Sequence, residues 1–363
     1  YSYQIYLTDD NPRNETPSKI RNDIKIGIKN KKVIEISDRK KAIQEAIKNL
    51  KSGDLLLVAG KGHEQSQDYG IKKLFFSDKE IILKSIKQKN KFLSNNLKIN
   101  IINEESNHKI SSNQIVKNIS INSKTVQKND IFFAIKGNRL DGNKFVDQAF
   151  KKKISYAIVN NINKNCPSSR QIKVKNSLNF LTKCASTFRE NINAKIIAIT
   201  GSCGKTTLKE MIGNTLKEVS KTTFSPKSFN NKFGVPLSLF NLKQNDEFGI
   251  FEVGMDKKGE IDSLTKIVKP DLGVITNISY AHSKNFQNIK KIAEAKAEIM
   301  NNIKKNGIIV LNMDDNFYKY HEKIALKKKL KVISFGIKNK SSTVNLKSFR
   351  KIKGKYELLI DVM

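Results

Sequence analysis

Cysteine is scarce in this chain: three among 363 residues, at Cys166, Cys184 and Cys203. The number is odd and the spacing is not that of metal ligands. That excludes a disulfide framework and a cysteine-built metal centre, and it suits a reducing cytoplasm. Long apolar runs are absent too. None approaches the roughly 18 residues of a spanning helix, and no signal-peptide pattern opens the sequence, so no membrane span is expected. Arginine is rare, at positions 13, 21, 39, 139, 170, 189 and 350 only, although Lys and Arg together number 68 against 34 acidic residues, a formal net charge of +34. The lysines are spread along the whole length among asparagine and isoleucine, and no arginine–aromatic cluster offers a base-stacking platform. A basic polyanion-binding protein without enzymatic activity is therefore the alternative reading. Specific nucleic-acid recognition is not expected, while loose polyanion binding at low salt is.

What is present is a phosphate-binding loop. Residues 195–200 are short and β-branched, residues 205–219 have helical apolar spacing, and Gly201-Ser202-Cys203-Gly204-Lys205-Thr206-Thr207 lies between them. Glycines at 201 and 204 let backbone N–H groups turn toward an anion, and the positive end of the following helix faces the same point. Lys205 can reach terminal phosphates and the Thr206 hydroxyl can hold magnesium. The spacing departs from the common Gly-x-x-x-x-Gly-Lys form, since Ile199 occupies the place of the first glycine.

Around this loop the chain reads as two or three α/β domains. Residues 1–90 alternate strand and helix signals: strands at 5–8, 33–36 and 54–60, helices at 18–26 and 38–50, with Asp38 as a helix cap. Residues 91–112, rich in Lys, Asn and Ser without clear period, read as a linker. A small α/β region is expected at 113–192. From 193 to 363 the expected strands are 196–200, 249–254, 272–278, 307–312 and 331–336. Polar residues follow these strands, where open α/β sheets bind ligands: Glu252, Asn277, His282, Asn312, and the Asp314-Asp315 pair. Lys296 and Glu298 sit on an intervening helix. A carboxylate and an imidazole near a triphosphate are sensible magnesium partners.

These residues carry a family resemblance. Thr200-Gly-Ser-Cys-Gly-Lys-Thr-Thr207, Asn230-Asn-Lys-Phe-Gly-Val-Pro236, Glu252-Val-Gly254, Thr276-Asn-Ile-x-x-Ala-His282 and Ala295-Lys-x-Glu-Ile299 resemble the Mur ligases, and among them the D-alanyl-D-alanine-adding branch. The segment 121–137, with Asp141-Gly142, is similar to that branch's UDP-sugar-binding domain. Here the family's Asp-Ser-Arg reads Asn122-Ser123-Lys124, and its histidine after Asp-Gly is Asn143. Lysine keeps the charge of arginine but not its bidentate fork. Residues 1–90 resemble a different member: Asp9-Asp10-Asn11-Pro12-Arg13 and Gly60-Lys61-Gly62-His63-Glu64 look like the C-terminal domain of the meso-diaminopimelate-adding ligase.

The resemblance implies, in order, a Rossmann-like C-terminal ligase domain, a small α/β UDP-substrate domain, and a P-loop central ATPase domain with a mainly parallel sheet. It implies ATP and Mg2+ as cofactors, and UDP-N-acetylmuramoyl-tripeptide and D-alanyl-D-alanine as substrates. The reaction would be ATP-dependent amide formation through an acyl phosphate, in cytoplasmic cell-wall precursor synthesis. Gly201 to Thr207, Asn277 and Asn312 would serve the nucleotide. Thr206, Glu252, His282 and a carbamylated Lys296 would serve magnesium. Ser123, Lys124, Asn230 and Asn231 would serve the UDP-peptide. Asp10, Asn11, Arg13, Gly60 and Glu64 would serve the diamino acid. Folylpolyglutamate synthetases share the central chemistry, but the first 90 residues and the 121–142 motif argue against them. Because strand-like runs lie at both ends, the chain is expected to be a piece of a longer fusion, the tail of one ligase joined to the head of the next. As such a piece it is expected to bind ATP weakly and to turn over little or nothing.

Overall fold

A computed structural model of the chain describes residues 4–28, 32–50, 54–106, 110, 115–137, 140–280, 285–352 and 355–363. It divides into two compact units, Tyr1–Ser94 and Asn95–Met363. Among the described residues, no helix is long and apolar enough to cross a membrane.

The first unit opens with β1 (Gln4–Leu7), α1 (Pro17–Ile26), β2 (Lys32–Glu35) and α2 (Arg39–Asn49). β1 and β2 pair in parallel, as a crossover helix between two strands requires. α2 starts where the Asp38 carboxylate accepts from the Lys41 N–H, and it buries Ala42, Ile43, Ala46 and Ile47 along one face. A short antiparallel pair follows, β3 (Ser66–Asp68) and β4 (Lys73–Phe75). Residues 54–60, expected as a strand, enter no ladder, and Leu55 and Leu57 are exposed. Their continuous apolar run suits a strand, but they pair with neither β1 nor β2.

Residues 91–106, read as part of a linker, belong instead to the long helix α3 (Asp78–Ser106). Lysines and asparagines between the apolar residues hide the helical period. The end of the helix is nevertheless anchored: Ile99, Ile101 and Ile102 are buried in the main core of the second unit.

That unit holds two sheets. The smaller is parallel in the order β5 (Ile119–Ser120), β6 (Ile131–Phe133), β7 (Tyr156–Val159), β8 (Gln171–Lys173), with α4 (Val146–Lys151) between β6 and β7. Every residue of β6 and β7 is buried, as in a sheet covered on both faces. Phe132 packs with Val146 and Ala149 of α4 on one side. Phe133 joins Phe180, Leu181 and Phe188 of α5 (Ser177–Glu190) on the other.

The larger sheet contains, in chain order, β9 (Lys195–Thr200), β10 (Thr222–Phe224), β11 (Phe248–Glu252), β12 (Leu272–Ile275), β13 (Ile308–Asn312), β14 (Lys331–Gly336), β15 (Val344–Ile352) and β16 (Lys355–Val362). The intervening helices are α6 (Lys205–Val219), α7 (Gly234–Leu239), α8 (Glu260–Val268), α9 (Ile289–Ala297) and α10 (Tyr318–Lys327). Spatial order is β10-β11-β9-β12-β13-β14-β15-β16, parallel except for the terminal β15–β16 hairpin. Alternation along β9 sends Ile196 and Ala198 into one core, and Ile197 and Ile199 toward Leu208, Ile212 and Leu216 of α6 on the other face. The chain leaves β9 for β10 and β11 on one side, then crosses to β12 on the other. Ligands of open α/β sheets bind at such a switch. Register sets Glu252 opposite Ile199 and Ile275 opposite Thr200, so three strand ends meet there.

Candidate active site

The loop leaves β9 through Gly201, whose φ is +150°, and enters α6 through Gly204 at φ +79°. A side chain at 201 is excluded twice over. L-residues rarely adopt that φ, and a Cβ would lie 1.8 Å from Thr276 Oγ1. Thr276 is close because it holds the loop, its hydroxyl donating to the Cys203 carbonyl at 2.6 Å. Asn277 does the same from both ends of its amide. Its Oδ1 accepts from the Cys203 N–H and its Nδ2 donates to the Cys203 carbonyl, each at 3.2 Å. Ser202 Oγ accepts from the Ser279 N–H at 2.9 Å and donates to its carbonyl at 3.0 Å. The segment after β12 thus laces the loop into a fixed curve. Asn312 Nδ2 donates to the Thr276 carbonyl at 3.4 Å, one step behind that lacing.

Lysines converge on the loop's first carbonyl. Lys205 Nζ donates to Gly201 O at 2.9 Å and Lys296 Nζ to the same oxygen at 2.8 Å. Lys296 is buried at the end of α9. Burial above all, and then the neighbouring Lys205 charge, bring its ammonium down to about 7. Near neutrality a substantial share of it is therefore the free amine, available as a nucleophile.

On the opposite flank, Thr206 Oγ1 donates to Glu252 Oε2 at 2.7 Å, and Asn230 Nδ2 donates to Glu252 Oε1 at 2.7 Å. Glu252 is 1% exposed, a burial tolerable for a carboxylate only because both oxygens are satisfied. Ser228 Oγ lies 3.4 Å from Thr206 Oγ1.

The sequence-derived candidates fall into three places. Gly201 to Thr207, Glu252, Asn277, Asn230, Lys296 and Asn312 gather at the carboxyl ends of β9, β11, β12 and β13. Ser123 and Lys124 follow β5 in the small sheet: Ser123 is buried and donates to Gln148 Oε1 at 2.8 Å, while Lys124 is exposed. His282 lies outside the described residues.

Several candidates have structural duties. Asn231 Oδ1 accepts from the Phe233 and Gly234 N–H groups at 3.1 and 2.9 Å, opening α7. Asp314, one of the polar residues after β13, accepts instead from the N–H groups of Ile337, Lys338 and Asn339. Asp315 accepts from those of Ile278 and Phe317. Glu298 accepts from the Gly259 and Asp262 N–H groups, capping α8 from another helix. Ser228, Gln148 and the buried Lys209 were not anticipated, since a lone serine, glutamine or lysine carries no signal without its neighbours.

In the first unit, Asp10, Asn11, Gly60 and Glu64 surround Lys61, whose side chain is 0% exposed. Its Nζ donates to Asn11 Oδ1 at 2.6 Å and Ser66 O at 2.7 Å, and lies 3.2 Å from Asp10 Oδ1. Asn11 Nδ2 donates to Glu64 Oε2 at 2.8 Å. That hydrogen bond, helped by the Lys61 charge, holds the Glu64 carboxyl below its usual range. Gly60, at φ +112°, passes against Asp10, leaving no room for a Cβ. Arg13 is exposed and makes no ion pair among the described residues.

A glycine–lysine–threonine loop between strand and helix, at the switch point of a mostly parallel sheet, defines an α/β protein of the P-loop type. Within that class the chain belongs to the Mur ligase family. The Mur ligase middle domain matches residues 199–361, the Mur ligase family catalytic domain residues 115–189, and the Mur ligase glutamate ligase domain residues 2–62. Over 236 residues the chain is 38% identical to the UDP-N-acetylmuramoyl-tripeptide–D-alanyl-D-alanine ligase of Rickettsia prowazekii, covering 64% of this chain and 52% of that protein. It is 33% identical to the ligase of the same name from Bacillus subtilis over 202 residues, 55% of this chain and 45% of that one. Among solved structures it is similar to MurF from Acinetobacter baumannii, with a TM-score of 0.65 at 28% identity, covering 72% of this chain and 58% of that one. It is also similar to the MurF ligase of Thermotoga maritima in complex with ADP, with a TM-score of 0.60 at 30% identity, covering 68% and 56%. The chain spans about half the length of the curated relatives it matches.

Proposed function

We propose that residues 95–363 serve an ATP-dependent peptide ligase of the kind that joins D-alanyl-D-alanine to UDP-N-acetylmuramoyl-tripeptide in cytoplasmic peptidoglycan precursor synthesis. The observation that carries this reading is the convergence of Lys205, the 201–207 backbone and the Thr206–Glu252–Asn230 chain at one switch point. The names of the similar proteins supply the substrates.

A carboxylate is a poor electrophile, so it must be phosphorylated before an amine can attack. The backbone N–H groups of the loop and the Lys205 ammonium would hold the β- and γ-phosphates and stabilise charge on the transferring phosphoryl group. For this, Lys205 must swing from Gly201 O to phosphate. The free amine of the dipeptide would then displace phosphate from the acyl phosphate.

Magnesium fits the donor set. Thr206 and Glu252 present hard oxygens already within 2.7 Å of each other, and Glu252 is a buried carboxylate. No group of three or more His, Cys, Asp or Glu gathers among the described residues, so phosphate and water oxygens would complete the shell. When bound, the ion would neutralise charge on the phosphates. A carbamate on Lys296, formed by addition of carbon dioxide to its free amine with release of a proton, would together with His282 serve a second ion. Asn277 and Asn312 would serve the nucleotide, and Ser123 and Lys124 the UDP moiety.

The test is equilibrium binding of Mg-ATP, then phosphate release with UDP-tripeptide and D-alanyl-D-alanine added singly and together. Lys205→Ala removes a charge-assisted contact and is expected to weaken ATP binding about 10- to 100-fold. Failure of the unmutated chain to bind Mg-ATP would sink the reading.

The first unit supports a second reading. A Glu64 carboxylate held by Asn11, and an exposed Arg13 two residues after Asn11 in the chain, would offer both signs to an amino acid bearing ammonium and carboxylate groups, such as meso-diaminopimelate. On this view the chain joins portions of two consecutive ligases. Calorimetric titration with meso-diaminopimelate tests it. Binding that persists unchanged in Arg13→Ala would count against it.

A further inference from the structure

Lys209 is a lysine with no exposed surface. It lies one helical turn beyond Lys205 on the face of α6 that packs against the sheet. A buried ammonium is costly, and this one is spent on backbone. Its Nζ donates to the carbonyl of Lys227, and it meets Glu210 Oε1 at 2.9 Å and sits 6.0 Å from the centre of the Phe224 ring. Lys227 is the vertex of the loop after β10, with φ +47°. From that vertex the loop runs to Ser228, whose hydroxyl faces Thr206, and to Asn230, whose amide holds Glu252. The far side of the same loop is tied down by Asn230 O accepting from the Gly254 N–H at 2.7 Å.

The geometry points to Lys209 as a positioning residue. By pinning the Lys227 carbonyl to α6 it fixes the 225–231 loop, so that Ser228 and Asn230 hold the Thr206–Glu252 oxygen pair in place for a nucleotide-bound cation. It touches neither nucleotide nor metal. The phosphate cradle of residues 201–205 hangs instead on the segment after β12. Removing the ammonium should therefore disturb the cation side of the site and spare the phosphate side. This inference rests on the nucleotide reading above for its consequence, but not for the pinning itself.

The experiment uses the full chain and its Lys209→Met and Lys209→Arg variants, in two measurements. The first is amide hydrogen exchange without nucleotide. In Lys209→Met, amides of Phe229, Asn230 and Gly254 are expected to exchange at least about tenfold faster, while those of β9 and β12 keep their rates. Lys209→Arg, which retains a donor, is expected to recover part of that protection. The second is ATP affinity with and without magnesium. The gain on adding magnesium should shrink about tenfold in Lys209→Met, with metal-free affinity changed less than about threefold. Unchanged loop exchange overturns the inference whatever the nucleotide data. So does a loosened loop with an intact magnesium gain, or an equal loss in both affinities. If the unmutated chain binds no ATP, the functional reading falls, and the exchange data alone decide for or against the pinning.

Discussion

At the residue scale the site is a problem of charge in a small space. Lys296 and Lys205 share one carbonyl, and the arrangement is eased because burial and the neighbouring Lys205 charge lower Lys296 to about 7 and so favour its neutral form. Glu252 is the counterpart: it stays buried because Thr206 and Asn230 each occupy one of its oxygens. Glu252→Gln is nearly isosteric but carries no charge, so ATP binding is expected to persist and to lose its response to magnesium. An unchanged response in a titration of ATP affinity against magnesium would remove Glu252 from the cation side. A different lysine reports on stability. Lys98 is buried and donates to the Lys117 carbonyl at 3.1 Å; burial, only partly offset by Asp130, lowers it to about 8. In the unfolded chain a lysine titrates near 10.5. Between the two values the unfolded state binds more protons, so stability rises with pH. The cost of charging Lys98 is absent above 10.5, grows as pH falls, and is complete below about 8. Urea midpoints of the unmutated chain and Lys98→Met should therefore diverge in slope between pH 8 and 10, with the variant's the flatter.

At the scale of elements, helix ends and close approaches carry the site. Glu298, on the turn after α9, caps α8 by accepting from Gly259 and Asp262. Glu298→Ala is expected to cost about 1 kcal/mol, the usual worth of a lost cap, read as a lowered denaturation midpoint. Gly213 poses a contest between two effects. In a helix interior, alanine outdoes glycine by about 1 kcal/mol. Here a Cβ would come within 2.3–2.7 Å of three Phe224 ring atoms, Cγ among them, so the whole ring would have to move. Overpacking of that kind costs about 1–3 kcal/mol, and Gly213→Ala is expected to destabilise. A raised melting temperature would show that β10 yields. The strands and helices around the phosphate loop were legible because their apolar runs are uninterrupted: β9 and β12 are isoleucine- and valine-rich and end where polar residues begin. α3 was not, because its isoleucines at 99, 101 and 102 sit among lysines and asparagines and declare themselves only by being buried. Residues 54–60 erred the other way, having a strand's pattern without a strand's partner.

At the scale of the whole molecule, a formal charge of +34 is spread over the chain. Such a charge repels itself and attracts polyanions, both most strongly at low ionic strength, where screening is weakest. Binding to duplex DNA is expected at low salt, to fall steeply and log-linearly as NaCl rises, and to ignore sequence. A base preference surviving at about 150 mM salt would restore the nucleic-acid reading that lysine without arginine–aromatic clusters argues against. The sequence by itself determined the chemistry on offer: a glycine–lysine–threonine loop between a strand and a helix, a carboxylate after a second strand, a lysine on a later helix, and ordered motifs that name the family. These are local matters, set by backbone freedom, helix polarity and residue type over a few positions. The tertiary structure alone decided their use. Strand order brings Thr200, Glu252 and Thr276 to one edge, while Asp314, Asp315 and Glu298 are drawn into backbone hydrogen bonds. Lys209, which reads as a surface lysine, becomes a buried tie. Hydrogen-bond satisfaction in a buried site is a property of neighbours distant in sequence, and no spacing within the chain encodes it.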